Sequence, residues 1–103
     1  MLDKIDAIEA RYNELSNLIA ENVEDYQKTA EWMKERSEIE EIVEKGREYK
    51  DTLKRIEEDK ALEKDPEMSE LAATELDDLL PKKENLENEI RSMLLPKDPR
   101  DSR

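Results

Sequence analysis

The sequence has no cysteine, no histidine and no phenylalanine, and it has a single glycine. Without cysteine there is no disulfide framework and no thiolate to serve as nucleophile or metal ligand, a composition that suits a reducing cytosol. Without histidine the commonest general base and the usual nitrogen ligand of zinc are also missing. The Cys and His dyads of nucleophilic catalysis are therefore excluded, and carboxylates remain the main groups left for chemistry. Catalysis by this chain is not expected, and neither a cofactor nor a metal site is expected. Long apolar runs are missing too. None approaches the roughly 20 residues that a membrane span requires, and Met1-Leu2-Asp3-Lys4 lacks the charged and apolar regions of a signal peptide. These absences point to a cytoplasmic protein with no membrane partner.

What is present is charge. Of 103 residues, 47% are charged and only 35% hydrophobic, with a net charge of −12. A chain of one domain's length with so few apolar groups cannot build a thick core, so long helices sharing a thin seam are the architecture it can afford. Low hydrophobicity and high net charge border on disorder, but the apolar residues are regularly spaced rather than scattered, which favours folding.

Leu2, Ile5, Ile8, Tyr12, Leu15 and Leu18 or Ile19 recur at steps of three and four, predicting a helix from about residue 2 to 21. Asn22 is placed to cap the next helix through its side-chain oxygen, with Glu24 and Asp25 in the first turn. From there to about Lys64 only Gly46 interrupts helix-forming sequence. The apolar stripe reads Tyr26, Ala30, Met33, Ile39, Ile42 or Val43, Gly46, Tyr49, Leu53, Ile56 and Leu62, on a helix roughly 60 Å long. Gly46 would let another backbone approach closely, at a cost of up to about 1 kcal/mol in helix propensity. Asp65-Pro66-Glu67 is a helix start, with Asp as cap and Pro at the first helical position. The third helix carries Met68, Leu71, Ala72, Leu79, Leu86, Ile90, Met93 and Leu94. Pro81 is expected to kink it near residues 78–80, a full break into two helices being the alternative. Short connections make sequential helices antiparallel. The fold class predicted is all-α, an elongated antiparallel three-helix bundle with a long central helix and a kinked third helix.

Glu38, Glu40, Glu41 and Glu44 bring carboxylates onto adjacent turns, but no calcium-loop spacing accompanies them and a solvated face is the simpler reading. Trp32 sits beside the Ala30 and Met33 stripe, as either a lid over the bundle or an exposed anchor for a partner; Trp32 and Arg36 are the partner-binding candidates. Tyr12, Tyr26 and Tyr49 are expected at the core edge with wet hydroxyls, and Met33, Met68 and Met93 as gap fillers. Residues 1–80 carry 12 basic and 25 acidic groups, a net charge of −13, so no direct nucleic-acid contact is expected from them. Lys82, Lys83, Arg91, Lys97, Arg100 and Arg103 supply the balance near the C-terminus, where dipole complementation and solubility account for them better than phosphate binding does.

Near the C-terminus, Met93-Leu94-Leu95 leads into Pro96-Lys97-Asp98-Pro99-Arg100-Asp101. The two prolines fix their own φ and push the residues before them out of the helical region, so a helix must end there. This predicts a helical domain over 1–95 and a linker over 96–103, with Leu95, Pro96, Lys97, Asp98 and Pro99 as interdomain residues leading toward a downstream domain. The stretch closely resembles the junction that closes the N-terminal helical domain of bacterial peptide chain release factor 1, a class I release factor of the UAA/UAG type. Met1-Leu2-Asp3-Lys4-Ile5 through Ile8-Glu9-Ala10-Arg11-Tyr12-Asn13-Glu14-Leu15 resembles that family's opening helix. Ile42-Val43-Glu44 with Arg47-Glu48-Tyr49-Lys50 resembles its second. The connection Ala20-Glu21-Asn22-Val23-Glu24-Asp25 departs from the longer, Asp-Pro-containing loop of many members.

The resemblance implies a non-catalytic part of a factor that directs stop-codon-dependent release of the nascent peptide. In that family the Gly-Gly-Gln tripeptide that promotes hydrolysis and the Pro-x-Thr codon-reading loop lie in later domains, and neither motif occurs in this chain. It also implies a protein-docking arm whose partners are the ribosome, through a stalk-base protein of the large subunit, and the remainder of the factor. The competing expectation is a free-standing helical adaptor or coiled-coil protein that recruits a partner helix or a second copy. Broken heptads, Pro81 and Gly46 weigh against a long uniform coil.

Overall fold

The computed structural model describes residues 1–95, and among them there are three α-helices and no strand. They are α1 (Leu2–Glu21), α2 (Tyr26–Leu62) and α3 (Ser69–Leu94). The all-α, helical-bundle expectation is met. Pro96, Lys97, Asp98 and Pro99 of the expected linker lie outside the described residues. Leu95 caps α3 with φ −69° and ψ 139°, the extended conformation a following proline imposes. The chain divides into two compact units, Met1–Gly46 and a second beginning at Arg47, and α2 contributes to both.

In the first unit α1 runs antiparallel to the opening part of α2. Ile5 lies against Gly46, while Arg11 and Tyr12 meet Glu35 and Arg36. Ile5 and Leu15 are the buried residues of α1, and Ile8, Tyr12, Leu18 and Ile19 are half-buried beside them. Gly46 is where the single glycine is required. A Cβ built there would stand 2.6 Å from Ile5 Cγ2, so no side chain fits without moving a β-branched neighbour.

Two details differ from the sequence reading. Asn22 does not cap α2; its amide donates to the Leu18 carbonyl at 2.9 Å and closes α1 instead. Asp25 takes the capping role, its carboxylate accepting the Lys28 N–H at 3.1 Å. The stripe Tyr26, Ala30 and Met33 is exposed. The inner line is Thr29, Trp32, Arg36 and Ile39, leading to Val43 and Gly46. Thr29 occupies an apolar position without penalty because its hydroxyl donates to the Asp25 carbonyl at 2.9 Å.

In the second unit α3 runs antiparallel to the rest of α2, as the pairs Tyr49–Glu87, Glu48–Lys82 and Arg55–Glu75 require. Tyr49, Thr52, Ile56 and Asp59 are buried on α2, and Ala72, Leu76, Leu79, Leu86 and Ile90 on α3. Ile56, Leu76 and Leu79 form one cluster. The α3 line runs in steps of four, three, seven and four from Ala72 through Ile90, with half-buried Lys83 bridging the longest step. It includes Leu76, which the sequence reading passed over, and leaves Leu71 exposed. The expected start of α3, with Asp65 as cap and Pro66 at the first helical position, is not met: Met68 is the N-cap, and Asp65 opens the turn before it. Its carboxylate accepts the Glu67 N–H at 3.0 Å and its carbonyl accepts those of Met68 and Ser69, although regular helix begins only at Ser69. Pro81 lies inside one continuous helix, so the alternative of a break fails.

Candidate functional site

Among the described residues no group of three or more His, Cys, Asp or Glu side chains is arranged to hold a metal ion, and no helix is long and apolar enough to cross a membrane. Glu38, Glu40, Glu41 and Glu44 are all exposed. What the molecule offers a partner is surface.

The face worth building up lies on the first unit. Arg36 Nη2 donates to Tyr12 Oη at 3.2 Å, and the guanidinium carbon stands 5.0 Å from the centroid of the same ring. One tyrosine thus holds the arginine by hydrogen bond and by cation–π attraction, fixing a long side chain that would otherwise be mobile. One residue earlier on each helix, Arg11 grips Glu35 with two bonds, at 2.6 and 2.8 Å, and also reaches Glu14. Hydrogen bonding to Glu35, then to Glu14, raises the Arg11 pKa, and the same bond lowers that of Glu35. These groups are partly exposed, so the pair orients α1 against α2 more than it stabilises them.

Arg36, Met33, Ser37 and Glu40 line a groove of about 280 Å³. Met33 is 51% exposed, and Tyr26, 83% exposed, precedes it by two helical turns. The face therefore has unpartnered apolar side chains with charged groups beside them, the composition of a small interface core and its rim. Of the two candidates, Arg36 borders this groove with its guanidinium already oriented. Trp32 lies on the inner line and is half-buried, between the lid and the exposed anchor that the sequence left open. Tyr26 was expected at the core edge and is instead the most exposed large apolar residue of this unit.

The second unit buries more apolar side chains but exposes others, Leu71, Leu80 and Leu95 among them. Tyr49 is buried, and its hydroxyl is not wet but donates to Glu87 at 2.8 Å; burial first, and that bond second, push its pKa up to about 12. Lys82 and Lys83 face Glu48 and Glu87 at 3.6 and 3.7 Å, so both lysines are directed at carboxylates of their own unit. Asp59 is buried at the end of the α2 line, a position that a search for apolar spacing could not flag.

Comparison with known proteins now adds identity. The family description PCRF domain matches residues 8–103. The chain is 46% identical to peptide chain release factor 1 of Nitratiruptor sp. over 98% of its own length and 29% of the relative's. It is 45% identical to the Carboxydothermus hydrogenoformans protein of that name, over all of this chain and 30% of the relative. The Geobacillus sp. protein is 41% identical with the same coverage. The chain thus spans about 30% of the length of these curated relatives. No solved structure matches it.

Proposed function

Because this chain belongs to the PCRF domain family, we propose that it works as the non-catalytic, N-terminal helical arm of a translation-termination factor in the cytoplasm. In this role it docks on protein at the ribosome while other domains read the UAA or UAG codon and release the peptide. The observation that carries the reading is the family match across residues 8–103, joined to similarity with peptide chain release factor 1 along essentially the whole chain.

The geometry supports the docking part of the reading. Tyr26 and Met33 are solvent-facing beside an oriented Arg36, and a net charge of −13 over residues 1–80 opposes association with phosphate. The docking partner is a stalk-base protein of the large subunit, and one small face gives modest affinity that the remaining domains of the factor raise by linkage. Pro96, Lys97, Asp98 and Pro99 serve as the connection to those domains. In a reconstituted termination reaction this chain alone should release no peptide and should slow release by an intact factor when added in excess. Codon-dependent release by the chain itself would refute the non-catalytic role, and absence of competition at any concentration would refute the docking role.

A further inference from the structure

The outer face of α2 in the first unit has a register of its own. Tyr26, Ala30, Met33, Ser37, Glu40 and Glu44 follow one another at alternating steps of four and three, and all six are exposed. That alternation is the spacing of a seam onto which a second helix packs its side chains. α1 does not occupy it, because α1 is directed at the neighbouring line, Tyr12 meeting Arg36 and Ile5 meeting Gly46. The seam changes character along its length. Its first part is apolar, with small Ala30 leaving a gap between Tyr26 and Met33, which are 83% and 51% exposed. Its second part is acidic, with Glu40 and Glu44 on it and Glu41 beside it. The groove of Met33, Arg36, Ser37 and Glu40 sits where the two parts meet.

We propose that the occupant of this seam is a basic amphipathic helix of a partner protein, with aliphatic side chains over Tyr26, Ala30 and Met33 and lysine or arginine over Glu40 and Glu44. An aliphatic side chain at the junction enters the groove beside Ser37. This rests on the docking reading of the same face and adds the form and charge of what docks there. Spacing selects a helix, because anchors at steps of four and three along α2 line up with a partner that runs beside it at the same pitch. Charge selects a basic one, since complementary charges favour association and like charges set opposite each other oppose it. A second copy of this chain is a poor occupant. Laid antiparallel over the same six positions, it sets Glu44 against Tyr26 and Glu40 against Ala30, which desolvates carboxylates without giving them partners. Laid parallel, it stacks identical carboxylates, and in either case each copy brings a net charge of −12.

Nuclear magnetic resonance titration of the intact chain with three synthetic helical peptides tests the assignment. The first carries leucines at steps of four and three over one half and lysines at the same steps over the other. The second has glutamates for the lysines, and the third keeps the first one's composition in scrambled order. Saturable shifts from the lysine peptide are expected along the line from Tyr26 to Glu44, with the other two peptides each about tenfold weaker or worse. Tyr26→Ala should weaken the lysine peptide about fivefold or more. Glu40→Lys/Glu44→Lys should transfer the preference to the glutamate peptide, a reversal that loss of structure does not produce. Leu71→Ala, at an exposed position on the other unit, should change nothing. Equal binding of the lysine and glutamate peptides, no saturation, shifts confined to other faces, or a concentration-dependent dimer broken by Tyr26→Ala would each overturn the proposal. Peptide binding without binding to stalk-base protein would overturn the choice of docking partner and uphold the seam's specificity. Tyr26-dependent binding to stalk-base protein without peptide binding would do the reverse.

Discussion

The two units are of similar length, yet among the described residues the first buries four hydrophobic side chains, Ile5, Leu15, Ile42 and Val43, and the second seven, Tyr49, Ile56, Ala72, Leu76, Leu79, Leu86 and Ile90. The first also leaves Tyr26 and Met33 in solvent on the helix that both units share. One helix therefore serves two purposes. Its second part is committed to a closed core, whereas its first part keeps apolar side chains outside, where they add little to stability and are free to meet a partner. The lesson is that in a chain with so little apolar material, the location of each large side chain is a choice between holding the fold and presenting a surface.

The sharpest way to break this comparison is to open the second core. Leu76→Ala should cost 2–5 kcal/mol in urea denaturation, as cavity-forming substitutions do, whereas a loss below about 1 kcal/mol would mean that the second unit is not held by that cluster. Next in size is Gly46→Ala in the first unit. Helix propensity alone predicts a gain of about 1 kcal/mol, but the clash with Ile5 Cγ2 should reverse the sign and destabilise by about 1–3 kcal/mol. Pairing it with Ile5→Leu, which removes that methyl, should recover much of the loss.

A smaller effect separates the units by pH. Burial, and then the facing Glu75, raise the Asp59 pKa. The unfolded chain therefore ionises first, and Asp59 costs stability as pH rises from the ordinary aspartate value through its folded one. Asp59→Asn should accordingly raise the melting temperature at neutral pH, with the gain vanishing below about pH 3.9. Glu35, lowered by Arg11, has the opposite sign: its contribution is present above the ordinary glutamate value and is lost as pH falls through its folded pKa, so Glu35→Gln should matter at neutral pH and not in acid. Glu75, lowered by Arg55 and then by Asp59, acts in the same sense as Glu35, which is why the single Asp59 substitution is needed to expose the second unit's own term. The smallest change is expected from Tyr26→Ala or Met33→Ala, each shifting stability by no more than about 0.5 kcal/mol. A large loss at either position would make that face part of the core and remove the contrast.

Much of this architecture was legible. The bounds of α1 came directly from the spacing of Leu2 through Ile19, and the Asp65 turn from its own chemistry. Gly46 stood out because a lone glycine in a long helix needs a reason, which Ile5 supplies. The first part of α2 was misread because the inner line there is made of Thr29, Trp32 and Arg36. The polar groups of Thr29 and Arg36 are met by the Asp25 carbonyl and by Tyr12, so an apolar count selected Tyr26, Ala30 and Met33 instead. The buried line also steps back by one residue between Gly46 and Tyr49, at the boundary of the two units, so no single stripe runs the length of α2. Asp59 was hidden for the same reason as Thr29: position in the pattern buried it, while its side chain advertised a surface. The site candidates were legible only as residue types. That Tyr12 holds Arg36 is a tertiary fact with no trace in spacing.

The central claim is that the chain meets protein and not nucleic acid, through the exposed face of its first unit. The direct test measures binding to purified stalk-base protein and to naked ribosomal RNA side by side over a salt series, for the unaltered chain and for Tyr26→Ala/Met33→Ala. The account predicts modest protein binding that the paired substitution weakens without unfolding the chain, and weak or absent RNA binding. Tight, steeply salt-dependent binding to RNA with none to protein would contradict it.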